Sequence, residues 1–139
     1  MDTNTIGKLT ELKVLSYVIE KGYSVSIPFG DKDRYDQIWD IKGKLLRVQV
    51  KTSRWKDESK KAIIFSCKSI YARSTGVRQH QYSKEDIDYF ATFWEDKVYL
   101  VPVEQCSTEK TLWFEKPSNG CNRCSFAKEY EMEVTLDKL

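Results

Sequence analysis

Two stretches of alternating apolar and polar residues, 37–41 and 45–51, stand on either side of Lys42-Gly43, and no other feature limits the possible folds as strongly. A period of two means extended chain, and a two-residue break containing glycine means that the strands are joined by a tight turn. The sequence therefore predicts a β-hairpin. Pairing Ile41 with Lys44 sets Ile38 opposite Arg47 and Asp36 opposite Gln49. A three-residue loop would shift the register by one and send the acid to the other face. Opposed residues hold their Cβ atoms about 4.5–5.5 Å apart, and Lys51 shares the face of Gln49 at i+2, so an acid, an amide and an ammonium are expected together. Val48 and Val50 then face the core.

Leu9, Leu12, Leu15, Val18 and Ile19 recur at helical spacing over residues 5–21, and Gly22 supplies a left-handed stop. Glu11 borders that stripe and is placed to point along a sheet surface. Residues 32–84 hold fourteen Lys and Arg against five Asp and Glu, although the whole chain has a net charge of only +2. The basic half surrounds the hairpin, as expected for a polyanionic ligand. With 139 residues, 40% hydrophobic and 13% aromatic, the chain suits one domain spanning 1–139. The amino end has no leader-like pattern and no apolar run reaches membrane length, so a soluble, intracellular (cytoplasmic) protein is expected, with no membrane partner. In that setting the four cysteines, Cys67, Cys106, Cys121 and Cys124, read as reduced thiols.

Further strands are expected at 23–27, 62–67, 89–94, 98–103 and 111–114, with a short helix capped by Ser83 and Asp86. Residues 68–82 show no period and read as a long basic and aromatic loop. Cations there meet phosphates while rings stack on bases. Lys32, Arg34, Lys68, Arg73, Arg78 and His80 are the candidate DNA contacts. The tail from Ala127 is weakly patterned and acidic. A single histidine excludes sites built on several histidine ligands, and no glycine-rich phosphate cradle is present. Cys121 and Cys124 have zinc-knuckle spacing without a second close pair, and Cys67 and Cys106 complete a four-thiolate site only if the fold gathers them.

The ordered set of helical Glu11, hairpin Asp36, and Gln49-Val50-Lys51 on the next strand resembles the PD-(D/E)XK nuclease superfamily. Its layout is most similar to the group I intron-associated homing endonucleases of that superfamily. The resemblance implies an α/β (α+β) fold of restriction-endonuclease type, with a central mixed sheet flanked by helices. It implies catalytic roles for Glu11, Asp36, Gln49 and Lys51, and Mg²⁺, with Mn²⁺ able to substitute, bound by Asp36, the Val50 carbonyl and Glu11. Two departures stand out: Tyr35 precedes Asp36 in place of proline, and Gln49 replaces the usual second acid. An amide oxygen is a poorer ligand for a hard cation than a carboxylate.

The expected activity is site-specific cleavage of double-stranded DNA, leaving 5′-phosphate and 3′-hydroxyl ends. A restriction-type enzyme, a Holliday junction nuclease and a non-catalytic DNA-binding module on an inactivated scaffold are the alternatives. One centre per chain and two strands to cut call for a homo-oligomer, a dimer or a tetramer. Trp94, Trp113 and Phe114 offer apolar surface for its interface, with a place in the core expected for most of it.

Overall fold

The hairpin forms in the register its sequence specifies. In the computed structural model, β2 (Gln37–Ile41) pairs antiparallel with β3 (Lys44–Val50), with Ile41 opposite Lys44 and Ile38 opposite Arg47. Lys42 and Gly43 take φ of 54° and 92°, the two positive values that a tight primed turn requires. The Asp40 carboxylate accepts the Gly43 N–H at 2.8 Å. The structure describes residues 1–139 except 31, 32, 74, 75, 118, 119, 121 and 122, and for 69–80 it describes the backbone alone.

Three further strands complete the central sheet. β1 (Ser24–Ser26) borders β2, while β8 (Tyr89–Trp94) and β9 (Lys97–Pro102) continue beyond β3 in the order β1-β2-β3-β8-β9. The β3–β8 pairing is parallel and the others are antiparallel, so the sheet is mixed. A parallel pair needs a long crossover, and here it carries β4 (Arg54–Trp55), β5 (Ala62–Ser66), β6 (Lys68–Arg73) and β7 (Gly76–Gln81). β4 and β5 join β10 (Glu109–Trp113) in a second, three-stranded sheet.

Residues 68–81 correct the expectation of a structureless loop. β6 and β7 form an antiparallel hairpin, with Lys68 across from Gln81 and Tyr71 across from Arg78. Backbone pairing needs no alternation of polarity when neither face has to be apolar, which is why no period marked it. Ser83 and Asp86 close a single turn instead of starting a helix: the Ser83 N–H donates to the Asp86 carboxylate at 3.1 Å, and the chain then enters β8. The weakly patterned tail forms a short 3-10 helix, Ala127–Tyr130, and α2 (Met132–Leu136).

Helix α1 (Thr3–Glu20) is capped by Asp2, whose carboxylate accepts the Thr5 N–H at 2.8 Å, and Gly22 at φ 92° turns the chain out. Its inward residues are Thr10, Val14 and Val18, while Leu9, Leu12 and Ile19 are exposed. The apolar stripe therefore located the helix without identifying its buried face. α1 and α2 cover one face of the central sheet around Val14, Val18, Trp39, Leu46, Val48, Val50, Leu100 and Met132. The second sheet covers the other around Ile63, Phe65, Ile87, Phe90, Val101 and Leu112. The result is a three-layer molecule with β3 in its middle, and the strand expected to face the core through Val48 and Val50 does so.

Candidate active site

The ladder between β2 and β3 ends at Gln37 and Val48, one residue short of the expected pair. Asp36 lies just beyond and brackets Gln49: its N–H donates to the Val48 carbonyl at 2.9 Å, and its carboxylate accepts the Val50 N–H at 2.8 Å. The side chain has taken over a backbone acceptor's place. This fixes Asp36 at the end of β3, where Lys51 follows. Gln49 is half-buried on β3.

Glu11 reaches the site from α1, held by Gln37. The buried Gln37 amide donates to the Glu11 carbonyl at 2.9 Å and accepts from the Trp39 indole N–H at 2.9 Å. One residue of the hairpin thus anchors the turn of helix that carries the acid. A second tie lies nearby, where the Thr10 and Thr52 hydroxyls meet at 2.9 Å. These positioning residues were missed in the sequence. Gln37 alternates as an ordinary strand residue, and only its burial distinguishes it.

Burial and the nearby Asp36 push Glu11 up to about 6, with Lys8 opposing them. Burial also raises Asp36, against the lowering effects of the Val50 N–H and Lys51. Lys51 is held below the usual lysine range by burial, with Asp36 and Cys67 acting the other way. Its ammonium donates to the Lys68 carbonyl at 2.7 Å and lies 5.6 Å from the centre of the Tyr82 ring. The fold has gathered Glu11, Asp36 and Lys51 and desolvated all three. Two acids that each resist ionisation beside one another form a donor set that a divalent cation relieves, so the residues present fit such an ion. Among the described residues no group of three or more His, Cys, Asp and Glu is placed to hold a metal ion by itself.

The other sequence candidates are spread around this centre. Arg34 Nε stands 3.9 Å from the Asp86 carboxylate, and Lys68 opens the β6–β7 hairpin. Arg73, Arg78 and His80 lie on that hairpin's backbone with side chains outside the described residues, and Lys32 lies outside them altogether. Cys67 and Cys106 are free thiols. The two neighbouring thiols act on each other, which lowers Cys67 and, with burial, raises Cys106, whose S–H donates to the Pro102 carbonyl at 3.6 Å. The expectation for Cys121 lies outside the described residues.

Residues 1–133 match a family described as PD-(D/E)XK endonuclease. The fold is similar to a solved structure titled as that of a bacterial homing endonuclease, I-Ssp6803I, with a TM-score of 0.77 and 21% identity over 99% of this chain and 95% of that one. No curated protein sequence matches. Among the described residues no helix is long and apolar enough to cross a membrane.

Proposed function

The chain belongs to the PD-(D/E)XK endonuclease family, and on that premise we propose that it is a site-specific, metal-dependent endonuclease of double-stranded DNA, of the intron-associated homing type. The observation that carries this reading is the convergence of Asp36, Glu11 and Lys51 at the end of β3, each desolvated and each acting on the next. The family membership makes the substrate a nucleic acid phosphodiester. The whole-chain likeness to a homing endonuclease supports the finer assignment, as does the basic half around the site. We take its place of action to be inside the cell, where such DNA lies.

Asp36, the Val50 carbonyl and Glu11 would hold Mg²⁺, or Mn²⁺ in its place, and Gln49 would position water or act as a weak ligand. When bound, such an ion acidifies water and offsets charge on the phosphoryl oxygens. The chain's own residues do the rest. Asp36, fixed by the Val50 N–H, sets where the phosphate approaches. Lys51 presents an ammonium to the phosphate oxygen on which charge develops, or to the attacking water. Water attacks phosphorus in line with the 3′ oxygen; the new P–O bond forms as the old one breaks, leaving 5′-phosphate and 3′-hydroxyl ends. Lys32, Arg34, Lys68, Arg73, Arg78 and His80 supply the DNA contacts, four of them on the backbone of the β6–β7 hairpin.

Gln49 favours a second reading, a DNA-binding module that has lost cleavage, because it removes one carboxylate from the site. Incubation with duplex DNA in Mg²⁺ and in chelator separates the two. Cleavage in Mg²⁺ that disappears with Asp36→Asn or Lys51→Ala, while DNA binding persists, is the expected result. Tight binding without cleavage under either condition supports the second reading, and undiminished turnover by either variant overturns the site assignment.

A further inference from the structure

The Lys51 ammonium is held by the base of the β6–β7 hairpin. Lys68, whose carbonyl accepts from Nζ at 2.7 Å, opens β6. Tyr82, whose ring centre lies 5.6 Å from Nζ, follows Gln81, the last residue of β7 and the partner of Lys68. The two contacts thus come from the two legs of one hairpin. A lysine side chain is rotamer-rich in water, and a carbonyl together with a ring face restricts that freedom before substrate arrives.

Tyr82 is itself fixed. It is buried and packs edge-on against Phe90, the ring centres 5.4 Å apart at 90°. The turn that follows is tied to β3 by Arg47, whose guanidinium donates to the carbonyls of Lys84 and Glu85 at 2.6 and 2.8 Å and pairs with Asp88 at 3.3 Å. β3 leads directly into Lys51, so the ring and the lysine backbone share one frame.

We propose that Tyr82 is a positioning residue for the cleavage reaction: its ring face and the Lys68 carbonyl fix the Lys51 ammonium at the site, which makes lysine placement a property of the hairpin read above as a DNA contact. This inference rests on the nuclease reading. A tyrosine that merely filled the core would affect stability and leave the turnover of the folded protein alone.

The first measurement needs no DNA. In protein labelled with ¹³C-lysine, the Lys51 ε-methylene signal, assigned by its absence in Lys51→Ala, is expected to be displaced by the ring current of Tyr82. Tyr82→Phe keeps the displacement, and Tyr82→Leu and Tyr82→Met abolish it. An undisplaced signal in the wild-type protein overturns the cradle whatever the protein does to DNA. The second measurement is single-turnover cleavage of duplex DNA in Mg²⁺ by variants shown to be folded by thermal melting. Tyr82→Leu or Tyr82→Met is expected to slow the step about 100-fold at unchanged DNA affinity, the scale of a small misplacement of a catalytic group, and Tyr82→Phe to restore it. Wild-type turnover by both aliphatic variants overturns the positioning role. A wild-type protein that shows the displaced signal yet cuts no DNA overturns the nuclease reading, and the positioning role of Tyr82 with it, while leaving the cradle as a property of the fold.

Discussion

Glu11 gives the site its clearest pH signature. Burial and Asp36 hold its carboxyl at about 6 in the folded chain, above its ordinary 4.5, so the folded state binds that proton more tightly than the unfolded state does. Below about 4.5 both states are protonated and the group costs nothing. Stability falls as pH rises from there to about 6, and the whole cost is present above that. The side chain is only half-buried and solvent screens it, so the cost is about 1 kcal/mol. Glu11→Gln removes it. Thermal unfolding in chelator is expected to show Glu11→Gln above the wild-type protein at pH 7.5 and level with it at pH 4.5. An equal gap at both values would rule out an electrostatic origin.

Elements meet at the site through few residues, and Gln37 is the most exposed to test. Its amide joins β2 to the helix turn of Glu11 and satisfies the buried Trp39 indole. Gln37→Ala leaves both groups without their partner, and the expected loss is about 1–3 kcal/mol in denaturant unfolding. Cleavage should fall further than DNA binding does, since Glu11 loses its anchor; equal losses in both would assign Gln37 to the core alone. The β6–β7 hairpin makes a complementary case, with Arg73 and Arg78 proposed to reach base edges. Losing one bidentate contact to guanine costs about 1–3 kcal/mol and relaxes the preference at that base pair. If alanine at both positions leaves affinity and sequence preference unchanged across a salt series, the hairpin's role is confined to holding Lys51.

At the scale of the molecule, one chain brings one centre, and cutting two strands in one encounter takes two centres related by a two-fold axis. The expected active species is therefore at least a dimer, with a tetramer extending the reach along a long target. Trp94 and Trp113 are half-buried, and Phe114 is exposed. Trp94 and Phe114 pack edge-on against Trp55 at 4.9 and 6.1 Å, and Lys56 lies over Trp113. The outer side of α1, with Leu9, Leu12 and Ile19 exposed, is a further apolar surface. Sedimentation of the free protein and of its DNA complex is expected to show two or more chains per duplex. A one-to-one complex that cuts both strands without dissociating would refute this.

Local chemistry determined the parts of this protein that depend on neighbours in sequence. Lys42-Gly43 fixed the hairpin and its register, because a primed turn admits one pairing and a one-residue slip would bury charge. The order of Glu11, Asp36, Gln49 and Lys51 then pointed to the family. What depends on distant contacts was invisible. The inward face of α1 is chosen by which side chains fit against the sheet, so Thr10 is buried while Leu9 is not. The β6–β7 hairpin exists because two polar strands pair through their backbones, which leaves no apolar period to read. Asp36 leaves the ladder to accept the Val50 N–H, and Lys51 finds its partners seventeen residues on at the Lys68 carbonyl and further still at Tyr82. Sequence could name the acid, the amide and the lysine, since residue type carries their chemistry. Their desolvation, and the groups that hold them still, came from packing three layers around β3, because burial is a property of the assembled chain and of no residue within it.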